Sequence, residues 1–386
     1  MATVKPRLLA PGPVEVPPAV LEAMARPVVH HRSGPFKELF AGARARLAEV
    51  AMVPGEEVLV VTGSGTAGFE AAMLASVPAG GSVLSLQAGK FGERWATMGR
   101  RFGFRVTVLE EAWGRAVDPE RVRDALRAEP GVAAVTTTHS ETSTGVLHDV
   151  ERIAAVVREE APDTLMVVDA VTSLAAAELR PRAWDLDVVV SGSQKGLMVP
   201  PGLAFAYLSQ RAWQRSDELA RRGGLVPAYY LDLRRERERQ GQAQTATTPA
   251  VSLIAGLDVA LRLLLEEGVE AVWRRRAALN EALLSAGEAI GFGRYAERPS
   301  PAVAALRTPS EGDAPDVVRL LADAGIRIGA GQDDAKPHLI RPSVLGYADR
   351  FDVVALAAAL EDALRALGRD VPFGRGVGAA LEALAP

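Results

Sequence analysis

Two short apolar runs of the chain end at side chains that can do chemistry. Val167-Val-Asp169 ends in a carboxylate, and Val188-Val-Val-Ser-Gly-Ser-Gln-Lys195 ends in a lysine that is flanked by small residues. Twenty-six positions separate the acid from the lysine, enough for one crossover between neighbouring strands. A carboxylate can hold a protonated ring nitrogen, and a lysine can form a Schiff base with an aldehyde. Asp169 and Lys195 are therefore predicted catalytic residues, and together they favour pyridoxal 5'-phosphate as the cofactor.

A glycine-rich turn, Gly63-Ser-Gly-Thr-Ala-Gly68, follows one predicted strand and opens a helix. It matches the G-x-G-x-x-G pattern of dinucleotide-binding proteins. The next predicted strand, however, ends at Gln87, where those proteins place an acid for the ribose. A nicotinamide-dependent dehydrogenase is therefore a weak alternative. What remains is a helix N-terminus, with hydroxyls from Ser64 and Thr66, that suits a single phosphate.

A polar loop, Thr138-His-Ser-Glu-Thr-Ser-Thr-Gly145, follows another predicted strand. Open α/β sheets bind ligands at the carboxyl ends of their strands, where this loop would lie. Its hydroxyls can bond a ring oxygen or a phosphate. The loop, the glycine-rich turn, the acid and the lysine each follow a different strand, so the pattern predicts one shared site.

Between about residues 58 and 208, apolar strand patterns alternate with helical patterns. These strands and helices are the elements that must position the polar groups. This order predicts an α/β fold with a mostly parallel sheet and helices on both faces. The strands are apolar throughout, as in sheets that are covered on both sides. A long helical pattern after residue 250 breaks near Gly268. We expect three parts: a proline-rich arm over 1–20, a large cofactor-binding domain over 21–255 and a smaller α/β domain over 256–386.

The composition of the chain excludes several kinds of binding partner and functional site. The 386 residues carry a net charge of −4 and no long run of Lys and Arg, so no nucleic-acid partner is expected. No apolar run is long enough to span a bilayer, and no secretory signal is recognised, so we expect no membrane partner and a cytoplasmic location. The chain has no cysteine, which excludes disulfides, thiolate metal sites and cysteine nucleophiles, and no metal is expected.

The chain resembles the class V aminotransferases of PLP fold type I, in the branch of the alanine–glyoxylate, serine–glyoxylate and serine–pyruvate aminotransferases. The similarity runs over most of the chain, from Leu9-Ala-Pro-Gly-Pro13 to the segment 338–346. It implies a large, mostly parallel sheet domain and a smaller C-terminal α/β domain. It also implies a PLP-dependent transaminase with a ping-pong mechanism. The most specific segments are Thr62-Gly-Ser-Gly-Thr66, His139-Ser-Glu-Thr-Ser-Thr-Gly-Val146, Asp169-Ala-Val-Thr-Ser173 and Ser191-Gly-Ser-Gln-Lys-Gly196, which is followed by Pro200-Pro-Gly202.

The resemblance implies a role for each matching residue. Lys195 takes the place of the Schiff-base lysine and proton shuttle, and Asp169 that of the partner of the pyridinium nitrogen. Arg341 lies where the family binds the substrate α-carboxylate. The other residues implied at the cofactor are Val171 beneath the ring, Phe91 stacked on it, Ser143 with a hydroxyl near it, and Ser64, Gly65, Thr66 and Gln194 at the phosphate.

The family also implies contacts across a homodimer. Alanine–glyoxylate enzymes reach the phosphate of the neighbouring subunit with a Tyr and a Thr. Thr247 matches the Thr, whereas Gln244 stands at the Tyr position. We therefore expect a homodimer in which Thr247 contributes to the partner's cofactor site.

The donor and acceptor are the least determined part of the prediction. The branch favours a small amino acid, alanine or serine, with glyoxylate or pyruvate, and the low bulk of Gly12 agrees with a small substrate. The segment Val29-His-His-Arg-Ser33 carries His31 and Arg32, which can line the mouth of the cleft and bind a distal anion. Phosphoserine aminotransferases and some aspartate aminotransferases of this branch carry similar residues. An acidic donor, aspartate or phosphoserine, with 2-oxoglutarate is therefore the alternative.

Two further classes share the fold. Cysteine desulfurases need a cysteine nucleophile, which this chain lacks. A non-catalytic protein of the PLP fold is the remote alternative, and the presence of both Lys195 and Asp169 argues against it. Purified protein without an absorbance band near the visible edge would favour that alternative.

Overall fold

The computed structural model describes residues 5–385, so the first four residues of the predicted arm and Pro386 lie outside the described residues. The strands are β1 (Arg7–Leu9), β2 (Val58–Thr62), β3 (Ser82–Gln87), β4 (Arg105–Glu110), β5 (Ala134–Thr138), β6 (Ser140–Glu141), β7 (Val146–Leu147), β8 (Leu165–Asp169), β9 (Val188–Gly192), β10 (Leu203–Leu208), β11 (Gly293–Arg294), β12 (Leu306–Arg307), β13 (Ile326–Ala330) and β14 (Leu339–Arg341). The helices are α1 (Pro18–Met24), α2 (Gly34–Val50), α3 (Gly65–Ser76), α4 (Lys90–Arg101), α5 (Pro119–Ala128), α6 (Val150–Glu160), α7 (Gln210–Arg221), α8 (Leu233–Gln240), α9 (Val251–Glu267), α10 (Val269–Ala289), α11 (Asp313–Asp323), α12 (Arg350–Ala366) and α13 (Arg375–Ala383), with a 3₁₀ turn at Asp333–Ala335.

A seven-stranded sheet forms the large body of the molecule. Its order is β2-β10-β9-β8-β5-β3-β4, and β10 alone runs antiparallel to its neighbours. Every residue of β3, β5, β8, β9 and β10 is buried, because helices cover both faces of the sheet. The predicted mostly parallel α/β fold is therefore confirmed.

The topology brings the predicted polar segments to one edge of this sheet. β2, β5, β8 and β9 run in the same direction, and each is followed by one of those segments. Thr138, at the end of β5, pairs with Asp169, at the end of β8. Strand direction and register thus place the acid, the lysine loop, the glycine-rich turn and the hydroxyl-rich loop at the same edge.

A second, five-stranded sheet of order β1-β13-β14-β12-β11 forms the smaller body. Its first strand comes from the N-terminal arm, since β1 pairs in parallel with β13. The arm therefore belongs to the small sheet although it begins the chain. Leu9 of this strand packs into the second hydrophobic core with residues of α10, α11 and α12.

The long helical pattern after residue 250 is divided at Gly268, whose φ of +87° separates α9 from α10. Residues of α9 pack into the core of the large sheet, as do Val272 and Trp273 early in α10, whereas the later part of α10 packs into the second core. The helix α10 thus links the two bodies. The domain boundary at residues 255 and 256 stays a prediction.

Two local predictions differ from the structure. The arm predicted over 1–20 already contains the start of α1 at Pro18, because proline is well tolerated in the first turn of a helix. The apolar composition of residues 302–306 predicts a strand there, but the strand pairing is confined to Leu306–Arg307. Residues 302–305 are buried but lie in a turn and irregular backbone, so apolar composition alone misidentified them. Within residues 5–385, no helix combines the length and the apolar character that a bilayer crossing requires.

Candidate active site

A cavity of about 260 Å³ opens at the carboxyl edge of the large sheet. Turns from the sheet, the first two turns of α4 and the arm all contribute to its wall. Nine of the residues predicted from the sequence line it: Gly12, Ser64, Gly65, Thr66, Phe91, Asp169, Val171, Gln194 and Lys195. Six further residues complete the wall: Pro13, Phe69, Arg94, Thr142, Thr172 and Pro201.

Lys195 lies in the loop after β9 and is only 8% exposed. Its Nζ donates a hydrogen bond to the carbonyl oxygen of Pro11 in the arm. Burial, with a smaller contribution from the charge of Arg341, lowers the pKa of its amine to about 8. A neutral amine, the form that can act as a base or a nucleophile, is therefore available close to neutral pH.

The close contact between Lys195 and the arm depends on Gly12. A Cβ at Gly12 would lie 2.5–2.7 Å from Cδ, Cε and Nζ of Lys195, and the φ of +129° at this position also favours glycine. The predicted small residue in the substrate region is thus required by its contact with the lysine.

Asp169 is the last residue of β8 and is 3% exposed. Its Oδ1 accepts a hydrogen bond of 2.8 Å from the backbone N–H of Val171. Burial, with a smaller contribution from the nearby Glu141, raises the pKa of its carboxyl group to about 7. Within the described chain the carboxylate forms no salt bridge, although the charges of Arg94 and Lys195 favour its ionised form.

The N-terminus of α3 faces the same cavity. Ser64 is the N-cap residue, but its side chain makes no capping hydrogen bond. The first N–H groups of a helix have no partner within the helix and favour an anion. Gly65 comes so close to Val171 that a Cβ would lie 2.8 Å from Val171 Cγ2. Gln194 also lines this part of the cavity, and its buried Oε1 has no hydrogen-bond partner in residues 5–385.

Phe91 and Arg94 come from the first two turns of α4. They lie three residues apart, and the Arg94 guanidinium carbon is 4.8 Å from the centre of the Phe91 ring. Nη1 of Arg94 donates a hydrogen bond of 3.3 Å to Oγ1 of Thr66. Arg94 thus places a positive charge beside the N-terminus of α3.

Five predicted residues do not line this cavity. Arg341 is buried beside it, where Nε donates to the carbonyl of Ala330 at 2.8 Å and Nη1 to the carbonyl of Thr142 at 2.7 Å. Burial lowers the pKa of its guanidinium to about 10. The hydroxyl of Ser143 donates to Glu141 at 2.5 Å and accepts from the N–H of Lys90 at 3.0 Å.

The other three residues, Arg32, His31 and Thr247, lie outside the cavity lining. Nη1 of Arg32 donates to Oε1 of Gln244 at 2.9 Å. His31 lines a shallow groove together with residues 248–253. The carbonyl of Thr247 accepts a hydrogen bond from the hydroxyl of Thr245. The two segments that the resemblance assigns to substrate and to the partner subunit are therefore neighbours.

Sequence reasoning missed Arg94 and Glu141. Arg94 had a signal, because position i+3 on a helix shares a face with Phe91. Glu141 lies inside the hydroxyl-rich loop, whose hydroxyls alone suggest a cofactor contact. The role of Glu141 could not be predicted without the geometry that joins α4 to the loop.

The residues fit pyridoxal phosphate. A buried carboxylate that forms no salt bridge within residues 5–385 suits a protonated ring nitrogen, and a partly deprotonated lysine suits the aldehyde. The uncapped N-terminus of α3 with the adjacent Arg94 suits the phosphate. Val171 and Phe91 supply apolar walls between these groups.

The matching family model and the aminotransferases among the similar proteins agree with this chemistry. The sequence model of the family described as "Aminotransferase class-V" matches residues 8–356. The soluble hydrogenase 42 kDa subunit of Anabaena cylindrica is 36% identical over 97% of both chains. The serine–glyoxylate aminotransferase of Methylorubrum extorquens is 30% identical over 97% of this chain and 95% of its own. Among solved structures, the subgroup IV aspartate aminotransferase of Thermus thermophilus has a TM-score of 0.86 and 37% identity, and the match covers 93% of this chain and 99% of that chain.

Proposed function

Because the chain belongs to the class-V aminotransferase family, and is thus a PLP-dependent transaminase, we propose that it transfers the amino group of a small amino acid, alanine or serine, to glyoxylate or pyruvate. The observation that carries the proposal is the meeting of Lys195 and Asp169 in one cavity beside an uncapped helix N-terminus. The serine–glyoxylate aminotransferase relative supports the choice of substrates.

Different residues of the cavity would bind different parts of the cofactor. Asp169 would hold the protonated ring nitrogen, and Val171 and Phe91 would lie on the two faces of the ring. The N–H groups at Gly65 and Thr66, the hydroxyl of Ser64 and the amide of Gln194 would hold the phosphate, with Arg94 supplying a positive charge. When bound, pyridoxal phosphate supplies an aldehyde for the amino group and a ring that accepts electrons when the α-C–H bond breaks.

The chain's own residues then position the substrate and move its proton. Arg341 would bind the α-carboxylate with the part of its guanidinium that is not bonded to Ala330 and Thr142. Nζ of Lys195, in its neutral form, would take the α-proton of the bound amino acid. The same amine, once protonated, would return a proton when the 2-oxo acid is the substrate. The two half-reactions give a ping-pong scheme.

Replacement of the lysine is the direct test. Lys195→Ala removes the base, so we expect transamination to fall by at least about 1,000-fold while the melting temperature of the apoenzyme stays within a few degrees of the wild type. Lys37→Ala on α2 is the control and should keep full activity. The measurement is 2-oxo acid formation with alanine, serine, aspartate and phosphoserine against glyoxylate, pyruvate and 2-oxoglutarate. Substantial turnover by Lys195→Ala would contradict the assignment, and an absence of turnover with every wild-type pair would favour a non-catalytic protein.

An acidic donor, aspartate or phosphoserine, with 2-oxoglutarate is the second candidate. A second arginine, Arg94, lines the cavity in addition to the nearby Arg341, and one solved relative is named an aspartate aminotransferase. Two cations suit a substrate with two anionic groups. The same donor panel decides, because a dicarboxylate enzyme would prefer aspartate over alanine and serine by kcat/KM.

We further propose that the enzyme works in the cytoplasm as a homodimer. In that dimer Thr247, and with it His31 and Arg32, would reach the partner's site. The neighbouring positions of Arg32 and Gln244 support a joint role for the two segments. Sedimentation of the holoenzyme should give twice the chain mass of 40.8 kDa, and fractionation of the source cells would test the location.

A further inference from the structure

Glu141 is a fully buried carboxylate in the loop that follows β5. Four donors bond it. Oε1 accepts from the N–H of Ser143 at 3.0 Å and from its hydroxyl at 2.5 Å, and Oε2 accepts from the N–H groups of Phe91 at 3.0 Å and Gly92 at 3.1 Å. No Lys or Arg of residues 5–385 forms a salt bridge with it. Hydrogen bonds to both oxygens of the side chain therefore replace the water contacts that are lost on burial.

These bonds fasten the first turn of α4 to the loop. The N-cap residue of α4 is Gly89, which has no side chain to cap the helix. Instead, the N–H of Lys90 bonds to Ser143 Oγ, and the next two N–H groups bond to Glu141. A negative charge at a helix N-terminus is also favoured by the helix dipole. Three consecutive donors of α4 thus depend on two residues of the loop.

Both sides of this junction carry parts of the active site. The first turn of α4 carries Phe91, which lines the cavity. Thr142, between the two anchoring residues, also lines the cavity, and its carbonyl accepts the hydrogen bond from Arg341. Its hydroxyl bonds that of Thr172, another cavity residue, at 2.8 Å. Movement of the junction would therefore displace the aromatic wall and the arginine together.

We propose that Glu141 is a positioning residue of the active site, whose carboxylate fixes Phe91 and, through Thr142, Arg341 in the places that the reaction needs. This role rests on the proposed function, because it assumes a cofactor ring against Phe91 and a substrate carboxylate at Arg341. It does not require Glu141 to touch either molecule.

Glu141→Gln tests the role with little change in shape. An amide has one acceptor oxygen in place of two, so either the α4 N–H groups or Ser143 must lose a partner. We expect kcat to fall about 10- to 100-fold and the visible circular dichroism of the bound cofactor to weaken. We also expect faster hydrogen exchange at residues 90–92 of the apoenzyme, a measurement that is independent of activity. Ser143→Ala, which leaves the Phe91 and Gly92 bonds intact, should show a smaller loss of kcat.

Glu361 offers a matched control. It is also buried, and its carboxylate accepts from the N–H groups of Gly374, Gly376 and Val377 at the start of α13, in the small body. Glu361→Gln should lower the melting temperature but leave kcat and the cofactor dichroism of the folded enzyme unchanged. Equal losses of kcat in the two variants would show a merely structural role for Glu141. Unchanged kcat, dichroism and exchange in Glu141→Gln would overturn the proposal, provided that the wild type is active. A wild type without activity would instead overturn the proposed function.

Discussion

At the scale of single residues, Arg94 adds a positive charge to the cavity wall, on the same face of α4 as Phe91. Its guanidinium stacks on Phe91 and bonds Thr66, and it forms no salt bridge within the described chain. Its charge favours the ionised form of Asp169 and the neutral form of Lys195, so it acts on both catalytic groups from a distance. An anion bound at the α3 N-terminus would complete this arrangement.

Arg94→Gln should therefore weaken binding of the cofactor phosphate. Loss of one charge-assisted hydrogen bond is worth about 1.5–3 kcal/mol, which corresponds to a roughly 10- to 100-fold higher Kd for pyridoxal phosphate. Fluorescence titration of the apoenzyme measures this Kd. Arg100→Gln, on the same helix but outside the cavity, should leave it unchanged. If Arg94→Gln instead raised only the KM for dicarboxylate donors, Arg94 would bind substrate and the acidic-donor alternative would gain support.

Lys195 and Asp169 could be predicted from the sequence because each follows an apolar strand, and strand ends in a parallel sheet meet at one edge. Glu141 could not be predicted, because its partners, Phe91 and Gly92, lie about fifty positions earlier in the chain. The sequence shows the residue types of the loop but not which side of it faces the cofactor. Arg341 was placed by resemblance, and its hydrogen bonds to two carbonyl groups became visible only in the folded chain.

At the scale of elements, the site depends on how closely α3 approaches the segment after β8. Gly65, the first residue of α3, has no space for a side chain, since a Cβ would lie 2.8 Å from Val171 Cγ2. Gly34 has the same position at the start of α2, but a Cβ there would meet nothing within 4 Å. The two glycines thus occupy the same position in their helices, but only Gly65 lies against a neighbouring side chain.

We expect Gly65→Ala to push α3 and Val171 apart. Crowding of this kind costs about 1–3 kcal/mol, and the displaced helix N-terminus should raise the Kd of pyridoxal phosphate by roughly 10-fold or more. Gly34→Ala should leave both the melting temperature and the Kd close to wild type. Calorimetry and cofactor titration of the two variants provide the comparison. Equal behaviour of both variants would mean that the α3 approach does not set cofactor binding.

The boundaries of helices and strands could be predicted from the sequence where a strong helix-breaking residue is present. Gly268 divides α9 from α10 at the predicted place, since a positive φ interrupts the helix. The start of α1 at Pro18 escapes a prediction that treats proline only as a helix breaker. Pairing of the arm with β13 was also beyond prediction, because a three-residue strand has no periodicity that identifies its partner.

At the scale of the whole molecule, the arm joins the two bodies at the catalytic lysine. β1 belongs to the small sheet, whereas Pro11, two residues after it, accepts the hydrogen bond of Lys195 from the large body. Arg276, buried in α10, donates to the carbonyls of Val344 and Gly346 and so holds the segment after β14 to that helix. The cavity therefore depends on both bodies, and its ionised groups affect the stability of the whole fold.

Asp169→Asn should separate function from stability. The pKa of Asp169 is raised to about 7 in the folded apoenzyme, against about 4 in an unfolded chain. The folded state therefore binds more protons than the unfolded state between these values, and stability contributed by this group falls as pH rises toward 7. Asparagine removes this cost, so the apo variant should melt at a higher temperature than wild type at pH 8, by an amount worth on the order of 2–4 kcal/mol. Near pH 4 the difference should vanish, because both side chains are then neutral in the folded state.

The same variant should lose activity, because a neutral amide cannot balance a protonated ring nitrogen, and we expect kcat to fall by at least about 100-fold with the cofactor still bound. Asp163→Asn, an exposed position just before β8, should change neither the pH dependence of melting nor kcat. Calorimetry of the three apo proteins from pH 4 to pH 8, with kcat of the holoenzymes, gives both measurements. A melting difference independent of pH would mean that burial does not destabilise the carboxylate, and normal activity would mean that another group balances the ring nitrogen.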